Sequence, residues 1–531
     1  MRKVFSLALV VLVAVAASAA ATSQGASPKR DTLVIALQEL GTSIDPSTYQ
    51  ASSMTLLQAT LEPLVFYAMR NVAGSPVEVF DPDKFTPGAV QSWSIHPRYR
   101  SVTMTLRRGV KSPFGNELTS ADVKWTIDRN LATRSLGGAF MFGQANVNAT
   151  SPITVLDRYR FRWNLNGPSP NLMRGIAFHW EAPLDSTEVK KHATERDPWA
   201  SEWLATHTAS FGPYNVTQYT PGQSATLEAN PNYYAGVPAI KRIVMRVVPD
   251  PGNRQQLLQS GAIQYAPDIP RVQLSQLARN RAVKVEYGRS TRMLYLLMNT
   301  KTKPWDNRTL RQAVAYAIPY EQINRQVYRG TASLTRGPVS PLFGILHDPK
   351  TWKYTYNPER AAQLVRESGV GNVSASLQYS LSNPGPENAQ VAIVIQNALR
   401  AAGLNVQLDQ ATSDASYFAD LLGKKIPFGL GGTAPFIPDA GYQLFNTGPG
   451  PSGFANYTDP QFVAQVNAAN RLVTRRDRIK ALRRAQVYWN RDVPMVPILE
   501  PNYGVAMHPQ LDGFNIQPTG FPRLALFRWT P

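Results

Sequence analysis

The chain has 531 residues, too many for one compact core, so two or three lobes are expected. Hydrophobic content of 43% and aromatic content of 10% are globular values, and cysteine is absent, which excludes disulfides and a lipid-bearing thiol at a mature N-terminus. A net charge of +19 admits nucleic acid or anionic surfaces as partners, but the basic residues are scattered and no nucleic-acid module accompanies them.

The N-terminus reads MRKVFSLALVVLVAVAASAAATSQ. Arg2 and Lys3 are a positive lead, Val4 to Val15 are almost wholly apolar, and Ala17-Ser18-Ala19 or Ala19-Ala20-Ala21 offers a small-residue cleavage site. This is the layout of a secretory signal peptide, residues 1–21, and its apolar stretch is short of the ~20 residues a membrane span needs. A periplasmic or secreted protein is expected, with the signal cleaved, no lipid anchor and no direct membrane anchor.

Residues 22–30 form a polar linker, and "LVIAL" after Asp31-Thr32 suits a buried strand. A loop through Ile44-Asp45-Pro46 leads to helical spacing at Met54, Leu57, Leu61 and Leu64. "SVTMTLRRGVKS" alternates like a strand, and "TSADVKWTIDRNL" predicts a helix capped by Thr119 or Ser120. Residues 151–166 read as strand again. Pro221-Gly222 should close a hairpin between "YNVTQYT" and "SATLEAN". "KRIVMRVVP" is a further strand, and "NRQQLLQSGAIQYAP" a helix stopped at Gly261.

A second series begins near Val285: strand "RMLYLLMNT", helix "NRTLRQAVAYAI", a helix stopped by Gly369, then helix, strand and strand to "IPFGLGG". Two more helices follow. The second, "RLVTRRDRIKALRR", reads as a helix with a solvated basic face, with Thr474 and Asp477 as a capping box. "VPMVPIL" returns to strand. Alternating strands and helices in two series imply two α/β lobes.

Catalytic signatures are scarce. The six histidines include no i, i+4 pair, so local zinc spacing is missing. GxSxG and the P-loop are absent. One GxGxxG falls at Gly448, Gly450 and Gly453, but prolines fill its gaps and "FANYTDP" follows instead of a helix, so it reads as a plain loop. Paired carboxylates of a glycosidase need no proximity in sequence, and the 36 acidic residues leave that open.

Five segments in order carry a resemblance: Ile44-Asp45-Pro46; Gln91 to Ile127; "FGPYNVTQYTPGQSATLEANPNYYAG" from Phe211 to Gly236; "LMNTKTKPWDNRTLRQAVAYAIP" from Leu297 to Pro319; and "YNPERAAQLVRESG" from Tyr356 to Gly369. Together they resemble the family 5 extracellular solute-binding proteins of ABC importers, the group of dipeptide-, oligopeptide- and nickel-binding proteins. The resemblance implies an α/β fold: a two-lobed periplasmic-binding-protein clamshell with an extra domain inserted in the first lobe. The implied map is 31–60 lobe I, 61–204 inserted domain, 205–280 lobe I, 281–490 lobe II and 491–531 lobe I. It implies no catalysis and no cofactor or metal. A peptide or similar bulky solute would bind between the lobes, and permease subunits would receive it from a monomeric carrier. Exported glycan hydrolase and secreted polymer-binding protein are the competing readings.

Two departures from the family pattern stand out. Pro319 replaces an acidic residue, where it can start the next helix. Peptide-binding members carry "GW..DYPDP" where this chain has "GTAPFIPDA", Gly432 to Ala440. That register puts Thr433 at the tryptophan position and Phe436 at the aspartate that pairs with a ligand ammonium. Either the ligand does without that pair, or Asp439 or another acid takes it over. The candidate ligand contacts are Tyr49, Phe140, Phe142, Tyr295, Thr433, Phe436 and Asp439, and ordinary core packing is the competing role for each aromatic.

Overall fold

The computed structural model describes residues 31–531, apart from Tyr49, residues 382–384, Ala434, Phe436 and residues 451–452. The signal segment and two of the candidate contacts, Tyr49 and Phe436, therefore lie outside the described residues. No described helix is long and apolar enough to cross a membrane.

Two sheets organise the chain. The first has seven strands, in the order Lys284–Gly288, Tyr503–Met507, Tyr265–Ala266, Thr32–Leu37, Arg242–Val247, Ser224–Ala229 and Tyr214–Thr220. "LVIAL" pairs in parallel with Arg242–Val247, as a buried β-branched run should. The hairpin closes at Pro221-Gly222, with Gly222 at φ +72°, where a Cβ would be strained.

The second sheet has six strands, in the order Ala332–Leu334, Met495–Pro501, Met293–Met298, Phe428–Thr433, Ser374–Tyr379 and Asn405–Gln410. Every residue of Met293–Met298 is buried, which matches its unbroken apolar sequence. Helices Arg308–Ala317, Pro358–Glu367, Asn388–Ala401 and Arg475–Asp492 contribute to the same core, where Trp305 stacks on Phe428 at 4.3 Å.

Between the first strand and the hairpin, residues 61–204 form a four-stranded sheet, Val90–Ile95, Ser101–Leu106, Arg160–Asn164 and Ile153–Val155, and a ribbon, Val65–Arg70 with Val79–Pro87. The helix Ser120–Ala132 starts at Thr119, whose amide donates to Asp122 Oδ2 at 2.8 Å. One continuous core joins this region to the first sheet. The chain passes between the two large sheets at 288–293 and 501–503, later in both cases than 281 and 491, because strand pairing keeps 284–288 in the first sheet and 495–501 in the second. Ser290 Oγ donates to Pro501 O at 2.8 Å, which ties the two crossings side by side, and Arg271 Nη2, from the helix Arg271–Leu277, donates to Asn502 O in the second.

The segment Phe211–Pro238 proves to be a polar clamp. Tyr233 and Tyr234 hydroxyls both donate to the buried carboxylate of Glu62, and Arg523 donates to Tyr233 Oη at 2.8 Å. Burial pushes the Glu62 carboxyl up, against the opposing pull of Arg523 and the two tyrosines. Asn230 Nδ2 donates to Gly212 O at 3.0 Å and to Lys111 O at 3.2 Å. A Cβ at Gly212 would lie 2.0 Å from Thr60 O, a backbone atom that cannot rotate away. Gly212→Ala should therefore lower stability by at least ~1–3 kcal/mol, the usual cost of overpacking. A urea midpoint unchanged from the parent protein would contradict this close approach.

Candidate functional site

The two lobes meet along a seam that runs from the crossings to the inserted region. At the crossing end, a pocket of about 90 Å³ is lined by Gln38, Asp268 and Tyr503 of the first lobe and by Arg292, Tyr328 and Glu387 of the second. Here the Arg271 amide donates to Glu387 Oε1 across the seam at 2.8 Å. Tyr328 Oη is buried without a hydrogen-bond partner. Burial pushes the Asp268 carboxyl up, while Arg292 and Arg254 oppose the shift.

The middle of the seam is built on Asp439, which is 1% exposed. It caps the helix Ala440–Asn446, accepting the Tyr442 amide at 2.9 Å. Arg478 Nη2 lies 2.6 Å from both of its carboxylate oxygens. Arg174 Nε, from the inserted region, stands 3.5 Å from Oδ2, and its Nη2 reaches Asp83 at 2.6 Å. Burial disfavours the charged carboxylate, but Arg478 and Arg174 outweigh it and hold its pKa down at about 2. Beside this network Phe140 meets Tyr442 edge to face at 5.2 Å, and Ile437 is buried in the first lobe's core. Arg70 Nη2 donates to Leu342 O at 2.8 Å, and Asn470 Nδ2 to Gln144 Oε1 at 3.2 Å, both across the seam.

At the far end, a cavity of about 570 Å³ opens between the inserted region and the second lobe. A second buried acid, Glu500, lies near the second crossing. Ser340 Oγ donates to its Oε2 at 3.1 Å, its Oε1 has no hydrogen-bond partner, and burial pushes its carboxyl up to about 8. No group of three or more metal-ligating side chains occurs among the described residues.

The candidate contacts fall into three groups. Phe140 and Asp439 are brought to the seam. Phe142 is half-buried against the first core, on the same short helix as Phe140. Thr433 is half-buried at the end of its strand, opposite Met293. Tyr295 is 1% exposed within the second lobe's central strand, so it has no surface to offer a ligand. Asp439 is not a free anchor, because both its oxygens are taken by arginine. Sequence reasoning missed Arg174, whose signal was there: one charge inside the apolar run "NLMRGIAF". It also took Arg478 as part of a solvated face, although this side chain turns inward. Thr474 begins that helix without a side-chain cap.

Asp439→Asn should cost ~3–5 kcal/mol at neutral pH, since it leaves the buried Arg478 guanidinium without its counter-charge and Arg174 with Asp83 alone. The folded pKa lies below the unfolded carboxyl's ~3.9. The stabilisation is therefore complete above that value and is lost as pH falls through about 2. Denaturant melts of both proteins should show the gap between them narrowing below pH 4. A gap independent of pH would exclude the ion pair as its cause.

Comparison with known proteins gives the seam its context. The model of the bacterial extracellular solute-binding proteins, family 5, matches residues 84–453. The chain is 24% identical to the probable D,D-dipeptide-binding periplasmic protein DdpA of Escherichia coli (strain K12), over 98% of each chain. The dipeptide-binding protein of Pseudoalteromonas sp. SM9913, solved with Met-Leu, superposes with a TM-score of 0.81 at 20% identity, covering 94% of this chain and 100% of that one. MoaA of A. tumefacien R10, solved with mannopinic acid, gives a TM-score of 0.79 at 21% identity, covering 95% of this chain and 100% of that one. Both structures share the two-lobed clamshell. The two tied crossings, the seam between two α/β lobes and a family match over most of the chain lead to one conclusion: this protein belongs to the family 5 bacterial extracellular solute-binding proteins and is the substrate-binding component of an ABC importer.

Proposed function

We propose that the protein captures a peptide-like or similarly bulky solute in the seam without pairing its amino terminus to the Gly432–Ala440 loop. One observation carries this reading: Asp439 is the only acid in that loop, and Arg478 and Arg174 already hold it. Phe436 at the usual aspartate position has no charge to offer. An ammonium buried there without a partner would cost several kcal/mol, of which cation–π attraction recovers only ~0.5–2. Glu500 is a poor substitute while it stays protonated near neutral pH. A blocked peptide, an opine-like acid or a sugar-like solute fits better, and mannopinic acid, bound by one protein of this fold, is a solute of that kind.

In this reading Phe140, Phe142, Thr433 and Phe436, with Tyr49 from the first loop, approach the ligand. Tyr295 supports the strand behind them and Asp439 fixes the loop. The ligand leaves chemically unchanged, so no turnover is expected. The mature protein is exported, freed of residues 1–21, unanchored and monomeric, and it binds no nucleic acid. Lobe I comprises 31–60, 205–288 and 503–531, the inserted domain 61–204, and lobe II 290–501.

Calorimetry with matched free and N-acetylated di- and tripeptides tests the ligand reading. Acetylation should leave affinity unchanged or improve it. A free-amine preference of a hundredfold or more, abolished by Asp439→Asn or Glu500→Gln, would mean that the anchor had moved rather than vanished. Solution scattering tests the closure: the radius of gyration should fall when a binding peptide saturates the protein, and a constant radius at saturation contradicts a clamshell.

A further inference from the structure

The far-end cavity has the size of small-molecule sites, which run to about 300–1,000 Å³. It shares no lining residue with the pocket at the crossings. Its walls come from both lobes: Arg70, Lys84, Phe85 and Met173 from one side, Leu346, Val473 and Arg475 from the other. Ile95 and Tyr99 also line it, and they are 44% and 40% exposed, so their apolar surface is open to an occupant.

Its charges do not balance. Arg174 and Arg478 are matched by Asp83 and Asp439. Among the described residues, no carboxylate lies within ion-pair distance of Arg70, Lys84 or Arg475. Arg70 gives one guanidinium nitrogen to Leu342 O, while its Nε is buried without any hydrogen bond. The remaining acid is Asp81, which accepts the Asp83 amide at 3.0 Å. Three cations facing one acid across an apolar floor match a single ligand chemistry.

We propose that this cavity is a second binding site, separate from the pocket near the crossings, and that it takes an amphipathic carboxylate. The carboxylate would accept charge-assisted hydrogen bonds from Arg70, Lys84 and Arg475. The alkyl body would cover Phe85, Met173 and Val473. Because the walls belong to two lobes, the site is complete only where the lobes touch, so its occupant favours the closed form.

Octanoate, hexanoate, octylamine and octanol titrated into the ligand-free mature protein test this by calorimetry. Octanoate should bind saturably and octylamine should not. Hexanoate should bind roughly tenfold more weakly, since each buried methylene is worth about fourfold. Lys84→Ala with Arg475→Ala removes two solvent-exposed side chains and should weaken octanoate at least tenfold at an unchanged melting temperature. Octanol binding as tightly as octanoate, no octanoate binding, or full octanoate affinity in the double variant would each overturn the proposal. These outcomes do not depend on the peptide titrations, so the two readings fail separately.

Discussion

A carboxylate with no access to water governs the seam. Asp439 can remain charged only where two guanidinium groups meet it, and those groups arrive from different lobes. Arg478 lies on the basic helix of the second lobe, at the end of its first turn, and Arg174 on a short helix of the inserted region. Buried ion pairs add little net stability, because desolvation consumes most of the attraction. What they impose is geometry. The loop from Gly432 to Ala440 settles where both cations are in place, and Ile437 and Tyr442 follow it against the first lobe.

That constraint bears directly on how a carrier of this kind works. A ligand shifts the open–closed balance only by its differential affinity for the two states. In the arrangement described, the lobes touch through contacts of their own: Arg174 with Asp439, Phe140 with Tyr442, Arg70 with Leu342 and Arg271 with Glu387. Contacts of this kind, where closure makes or breaks them, weigh on the same balance as the ligand. Ser290 binds the crossings at 288–293 and 501–503 to each other, and Arg271, from a first-lobe helix, holds the second.

In the proposed reading, the same network limits what the seam can recognise. An acid neutralised by arginines is lost as an amine anchor, and an acid held protonated by burial, like Glu500, is weakened as one. Positive charge remains in excess where Arg70, Lys84 and Arg475 line the far cavity. The chain's overall basicity is thus partly local, with three cations facing one acid beside an apolar surface.

Much of the scaffold was legible in the sequence because it rests on local rules. Pro221-Gly222 fixes its hairpin, Gly261 and Gly369 stop their helices at positive φ, and the unbroken apolar run around Leu294–Met298 can only be a strand covered on both faces. The ordered segments from Ile44 to Gly369 pointed to the family for the same reason: each encodes a local turn, cap or packing contact. The site was less legible. Whether a residue such as Tyr295 faces a ligand or a core depends on which strands flank it, and pairing with Phe428–Thr433 and Met495–Pro501 buries it. Asp439 looked like a ligand anchor beside Phe436, yet its partners lie 39 and 265 positions away in sequence. Tyr233 and Tyr234 looked like packing residues until folding brought Glu62 beneath their hydroxyls. Sequence sets the turns, caps and apolar faces through neighbours a few residues apart. Only the tertiary structure brings together the charges that neutralise one another, because Coulomb attraction depends on distance in space and burial.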